Sequence, residues 1–154
     1  MNYAIVFRLL GYILMIEGVL LLLPAVTSLI YAEWAVMGVF LLTAAISAAL
    51  GLGLRTIKPR SKVFYMREGF AATALSWIAI SIVGAVPFVL TGCIPNPVDA
   101  LFETVSGFTT TGASILPAVE GLPNGILFWR SFTHWIGGMG VLVFLLSLLP
   151  LTGG

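Results

Sequence analysis

Between two apolar runs of membrane length, residues 102–114 read FETVSGFTTTGAS, a stretch too polar to span a bilayer and too regular for an ordinary connecting loop. The chemistry it offers is that of oxygen donors. An ion that leaves water needs oxygen atoms in place of its hydration shell, and the main-chain carbonyls of a short extended run can supply them. Thr109 to Ala113 is the run best suited to this. Gly112 can reach left-handed or extended dihedrals that aim successive carbonyls toward one axis, and threonines tolerate extended geometry while adding hydroxyls.

Such a run has to be held at depth by something short. Asn96-Pro97 is a good helix start, with Asn as N-cap and Pro at the first helical position, and it predicts a helix over 97–108. That helix would be roughly 18 Å long, against ~30 Å of hydrocarbon, so it dips in and stops. Val98, Leu101, Phe102 and Val105 recur at helical spacing on one face, while Asp99, Glu103 and Ser106 share the other. Entering from outside, its C-terminus would bring about half a negative charge beside residues 109–112, where a cation is attracted. The competing reading is an amphipathic helix lying on the outer membrane surface and followed by a Thr-rich turn. Local pattern alone leaves the two open.

A second motif follows after a short loop, FWRSFTHWIGGMGV at residues 128–141. The two motifs in this order resemble the Trk/Ktr/HKT superfamily of cation transporters, and within it the TrkH type of potassium uptake subunit. The likeness is sharp over 102–141, and covers the preceding helices by number and placement only. It implies an all-α membrane fold whose pore is built from four membrane-pore-membrane repeats, each giving one filter segment with a central glycine. Carried onto this sequence, that glycine is Gly112, with the carbonyls of Thr110 and Thr111 lining the ion path and those of Thr109 and Ala113 less firmly placed. TrkH-type members also carry two helices ahead of the first repeat. The resemblance further implies a cytosolic nucleotide-binding regulatory subunit docked on the inner face, and location in a bacterial plasma (inner) membrane.

Composition agrees with the membrane class: 60% of residues are hydrophobic and 8% charged, and the mean hydropathy is +1.12. Four spans are predicted from uninterrupted apolar length, near 5–23, 34–54, 69–90 and 126–149, with Pro24 and Pro150 marking two ends. Five of the seven basic residues fall at 55–67, so the positive-inside rule makes this loop and the N-terminus cytoplasmic. Regulatory subunit or anionic lipid would explain its charges equally well. Trp34 and Trp129 fall near predicted outer ends, where indole rings favour the interface. The domain reading is a leading helix pair at 1–54, a basic loop at 55–68 and one membrane-pore-membrane repeat at 69–154, with pore helix 97–108 and filter 109–114. A cleaved signal peptide is the lesser reading of the first span, because Glu17 interrupts its apolar core.

Isolated polar groups inside such spans each invite a hypothesis. Arg130 and His134 are four apart and share a face. Arg130 either pairs with Glu103 of the short helix and braces the filter, or faces solvent and lipid phosphate. His134 reads as a hydrogen-bonded packing residue ahead of a proton relay. Glu17 should face protein, in a structural contact ahead of an ion site. Gly137, Gly138 and Gly140 suggest close backbone approach, with a hinge as the alternative, and the same holds for Gly51 and Gly53. One cysteine, Cys93, and one histidine exclude an intrachain disulfide and a zinc cluster, and no catalytic motif or organic cofactor signature is present. No basic tail suggests nucleic acid.

The expectation is thus a non-enzymatic part of a potassium uptake system, the N-terminal portion of an ion-conducting subunit that contributes one filter segment. One segment fills one side of an ion's shell, so the remaining repeats, in the same longer chain or in other subunits, must complete it. A non-transporting scaffold, or an inactive truncated form, is the alternative.

Overall fold

The computed structural model describes residues 2–59 and 65–152, with side chains to residue 143. Six helices follow one another: α1 (Tyr3–Leu20), α2 (Leu22–Ile30), α3 (Trp34–Arg55), α4 (Met66–Leu90), α5 (Pro97–Phe108) and α6 (Asn124–Thr152). Among the described residues there is no strand. Among the described residues three stretches are long and apolar enough to cross a membrane, Tyr3–Ile30, Trp34–Arg55 and Met66–Leu90. Part of the basic loop (60–64) and residues 153–154, the end of the predicted repeat, lie outside the described residues.

Pro24 does not end the first span. The chain passes from α1 into α2 through Leu21, whose dihedrals stay right-handed helical (φ −63°, ψ −17°), and Pro24 sits in the first turn of α2. A proline there gives up no intrahelical hydrogen bond, which is why the helical path continues to Ile30. Pro150 likewise falls inside α6, which runs on to Thr152.

The leading helices pack by close backbone approach. A Cβ added at Gly11 would lie 2.7 Å from the Gly51 carbonyl oxygen, and one at Gly18 would lie 3.1 Å from that of Ala44. Ser47 Oγ donates to Leu14 O at 2.7 Å across the same contact. Small residues allow this approach, and van der Waals contact plus interhelical hydrogen bonds drive association where lipid is as apolar as the helices. Gly53, expected to pack in the same way, meets nothing within 4 Å.

The second half is organised around aromatic rings. Trp129 of α6 is fully buried, not interfacial as its position suggested. It meets Phe40 of α3 and Phe108 of α5 edge-on, at centroid distances of 6.3 and 6.2 Å, and its Nε1 donates to Gly84 O of α4 at 3.0 Å. Four helices converge on one indole because it offers a large apolar body with a single donor to satisfy. Trp34 remains exposed at the start of α3.

Glu33, in the turn between α2 and α3, sets where α6 begins. Its Oε1 accepts from Asn124 N at 2.7 Å and Nδ2 at 3.1 Å, and its Oε2 accepts from Gly125 N at 3.1 Å. Orphan N–H groups and the positive end of the helix dipole both favour a carboxylate at that place.

Candidate ion-coordinating loop

Helix α5 forms as its first residues dictate. Asn96 Oδ1 accepts from Val98 N at 3.0 Å, and Pro97 opens the helix. Its packing reverses the pattern of a water-soluble amphipathic helix. Val98, Leu101, Phe102 and Val105 are exposed, whereas Glu103, Thr104 and Ser106 are buried against α4 and α6. The apolar face looks out, and the polar face supplies the site.

The C-terminus of α5 closes in a Schellman arrangement. Thr110 N donates to Gly107 O at 3.0 Å, and Thr111 N donates to Ser106 O at 3.0 Å. The residue in the left-handed position is Thr110, with φ +58°, where the sequence suggested extended geometry. A β-branched residue there is an outlier that costs on the order of 1–2 kcal/mol. Gly112 follows at φ +79°, with open space around its Cα.

This termination uses the N–H groups of Thr110, Thr111 and Gly112 and none of their carbonyl oxygens. Among the described residues, no protein donor reaches the carbonyls of Thr110, Thr111 or Gly112. Thr109 O accepts from the Thr110 hydroxyl at 2.7 Å, and Ala113 O accepts from Ser106 Oγ at 2.5 Å. A row of three carbonyls without a protein donor, all on exposed residues, is thus bracketed by two that are engaged.

Glu103 holds the far end of the loop. Its carboxylate accepts from Ser114 Oγ at 3.0 and 3.1 Å and from Ile115 N at 3.0 Å, and it pairs with Arg130 Nε of α6 at 2.6 Å. The Glu103 side chain is 1% exposed and that of Arg130 23%. A buried carboxylate needs such a full set of donors, since desolvation otherwise outweighs attraction. The structure therefore brings Glu103 and Arg130 together beside the loop. His134 lies one turn on, with Nδ1 2.9 Å from Arg130 O, a local packing bond.

Close approach of α6 to the loop depends on glycine. A Cβ on Gly137 would overlap the Phe108 carbonyl, and one on Gly107 would overlap Thr133 Oγ1. Gly138 faces Thr110 Cγ2 at 3.9 Å, and Gly140 faces Trp77. Glu17 stands apart: buried on α1, its two oxygens have no hydrogen-bond partner among the described residues. Sequence reasoning placed Ser106 on the polar face of the short helix and Ser114 at the end of the filter without giving either a partner, and it did not single out Glu33. The signal for Ser114 was present in its place on the return strand of a turn whose outgoing helix carries Glu103, whereas Glu33 and Asn124 are too far apart in the chain for spacing to link them.

Residues 33–154 match the family model described as "TrkH: Cation transport protein". The chain is 38% identical over 149 residues to an uncharacterized cation transporter of Methanocaldococcus jannaschii, covering 96% of this chain and 31% of that protein. It is 35% identical to the Trk system potassium uptake protein TrkH of Halomonas elongata and to that of Escherichia coli, in each case over 99% of this chain and 32% of the relative. The chain thus spans about a third of the length of these relatives. With most of its length inside the family model, and with apolar helices of membrane-crossing length, this chain is a non-enzymatic membrane protein that belongs to the TrkH family of cation transport proteins.

Proposed function

We propose that this chain supplies one wall of a potassium uptake pore, with Thr110, Thr111 and Gly112 presenting main-chain oxygens to the permeating ion. The observation that carries this reading is the row of three carbonyls with no protein donor, directly after the C-terminus of a 12-residue helix. Main-chain oxygens left unpaired at membrane depth cost several kcal/mol each, roughly, unless a cation or water meets them. The negative end of the α5 dipole favours a cation at that place. The identity of the ion follows the named activity of the potassium uptake relatives.

In this reading α5 is a re-entrant half-helix that enters from outside, and α6 is the fourth span. The leading pair 1–54, the basic loop 55–68 and the repeat 69–154 lie in a bacterial inner membrane with the N-terminus in the cytoplasm. Arg130 and Glu103 brace the filter from behind. Permeation is passive and involves no covalent step. Further repeats provide the other walls, and a cytosolic nucleotide-binding subunit regulates the pore from the inner face.

The test is Gly112→Ser in the assembled pore, followed by potassium-dependent growth and the preference for potassium over sodium. A side chain at φ +79° strains the backbone and turns the neighbouring carbonyls, so preference should fall about tenfold or more. Unchanged values would sink the filter assignment in favour of a non-transporting scaffold.

A further inference from the structure

We infer that Ser106 is a positioning residue for ion selectivity, a clasp that sets the shape of the carbonyl row; this rests on the filter reading above. Ser106 makes three links to the loop from a single buried position. Its carbonyl accepts from Thr111 N at 3.0 Å and from Gly112 N at 3.4 Å, and its hydroxyl donates to Ala113 O at 2.5 Å. The first two links are main-chain and survive any substitution. The third belongs to the side chain alone.

Its geometric consequence is specific. The hydroxyl draws the peptide after Ala113 back toward α5, while the Ser106 carbonyl holds the N–H groups of Thr111 and Gly112, so the Gly112–Ala113 peptide, which carries the Gly112 carbonyl, lies between two pinned peptides. Gly112 has open space around it and no side chain to resist rotation. With the Ala113 carbonyl held on one side and the Gly112 N–H on the other, rotation of the Gly112–Ala113 peptide between them is restricted. Without it, the Ala113 carbonyl is released and the Gly112 carbonyl is free to swing. Discrimination between potassium and sodium depends on the number and field strength of coordinating carbonyls, so a loosened end should accept the smaller ion better. Glu103 acts differently, since it holds Ser114 and Ile115, beyond the row.

Ser106→Ala removes one oxygen and little volume, which isolates the hydroxyl. In the assembled pore, with membrane abundance measured in parallel, S106A should lower the potassium over sodium preference about fivefold, the scale of one hydrogen bond. The KM for potassium should rise while the maximal rate changes less. Ser106→Thr, which keeps the donor, should stay within about twofold of the parent. Should S106A not reach the membrane, Ser106→Cys, close in volume and a much weaker donor, is expected to shift preference in the same direction. A parent-like preference in whichever of these two is present would overturn the inference, as would equal losses in the Ala and Thr variants, which would point to packing. Gly112→Ser measured alongside separates the two ideas. Loss of preference in G112S with none in S106A removes the clasp and leaves the filter, and no change in G112S removes both.

Discussion

The α1–α3 pair and the α5–loop–α6 unit hold together by opposite means. The leading pair meets through glycine, alanine and serine, with backbones in near contact and one serine hydroxyl crossing the interface. The second unit meets through a buried ion pair, an aromatic cluster and side-chain hydroxyls tied to main chain. On the proposed placement in a bilayer, the difference follows from what each must do there. A scaffold needs only contact, which small residues provide. A loop with free carbonyls needs its backbone pinned at chosen points, which requires polar groups, and those must be sheltered from lipid.

Breaking the polar side should have the largest effect. Glu103→Ala leaves Arg130 without its partner and Ser114 and Ile115 without their acceptor, and loss of one member of a buried pair costs about 3–5 kcal/mol. Thermal unfolding in detergent should show a much lower midpoint, and potassium-dependent growth should fail. Exchanging the two charges, Glu103→Arg with Arg130→Glu, should recover part of the activity lost in either single variant. Absence of any recovery would argue that orientation, beyond charge, governs the contact.

The packing side should yield more gently. Gly11→Val places a branched side chain where the Gly51 carbonyl already stands 2.7 Å from an ideal Cβ, and overpacking of this kind costs about 1–3 kcal/mol. The expected signature is a lower unfolding midpoint with unchanged ion preference, since α1 and α3 lie outside the loop's hydrogen-bond network. A shift in preference would blur the division between the two regions. Smallest of all, Gly53→Ala meets open space and should stabilise α3 by about 0.5–1 kcal/mol through the lower helix propensity of glycine.

Much of the site was legible where local chemistry decided it. The Asn96-Pro97 start predicted a helix over 97–108, and α5 spans Pro97–Phe108 with the Asn96 side chain as its cap. For Arg130 the sequence left two readings open, a pair with Glu103 or a place against solvent and lipid phosphate, and the two side chains meet. Pro24 misled because it stands in the first turn of α2, where a proline gives up no intrahelical hydrogen bond, so the helical path runs on to Ile30. Trp129 misled because proximity to a span's end says nothing of which neighbours surround it. The left-handed Thr110 could not have been anticipated, since propensity assigns that conformation to glycine.

Composition and periodicity by themselves determined that this is a membrane chain, that α5 is too short to cross, and that it carries one apolar and one polar face. They did not determine which face would turn inward. In water the apolar stripe must seek the core, but in lipid it is already at ease, and the polar stripe is the one that needs protein partners. Tertiary packing therefore placed Glu103 and Ser106 inside, joined Glu33 to the start of a helix 91 residues away, and left three carbonyls with no protein donor among the described residues. Those outcomes depend on contacts between distant segments, whose distances no local pattern encodes.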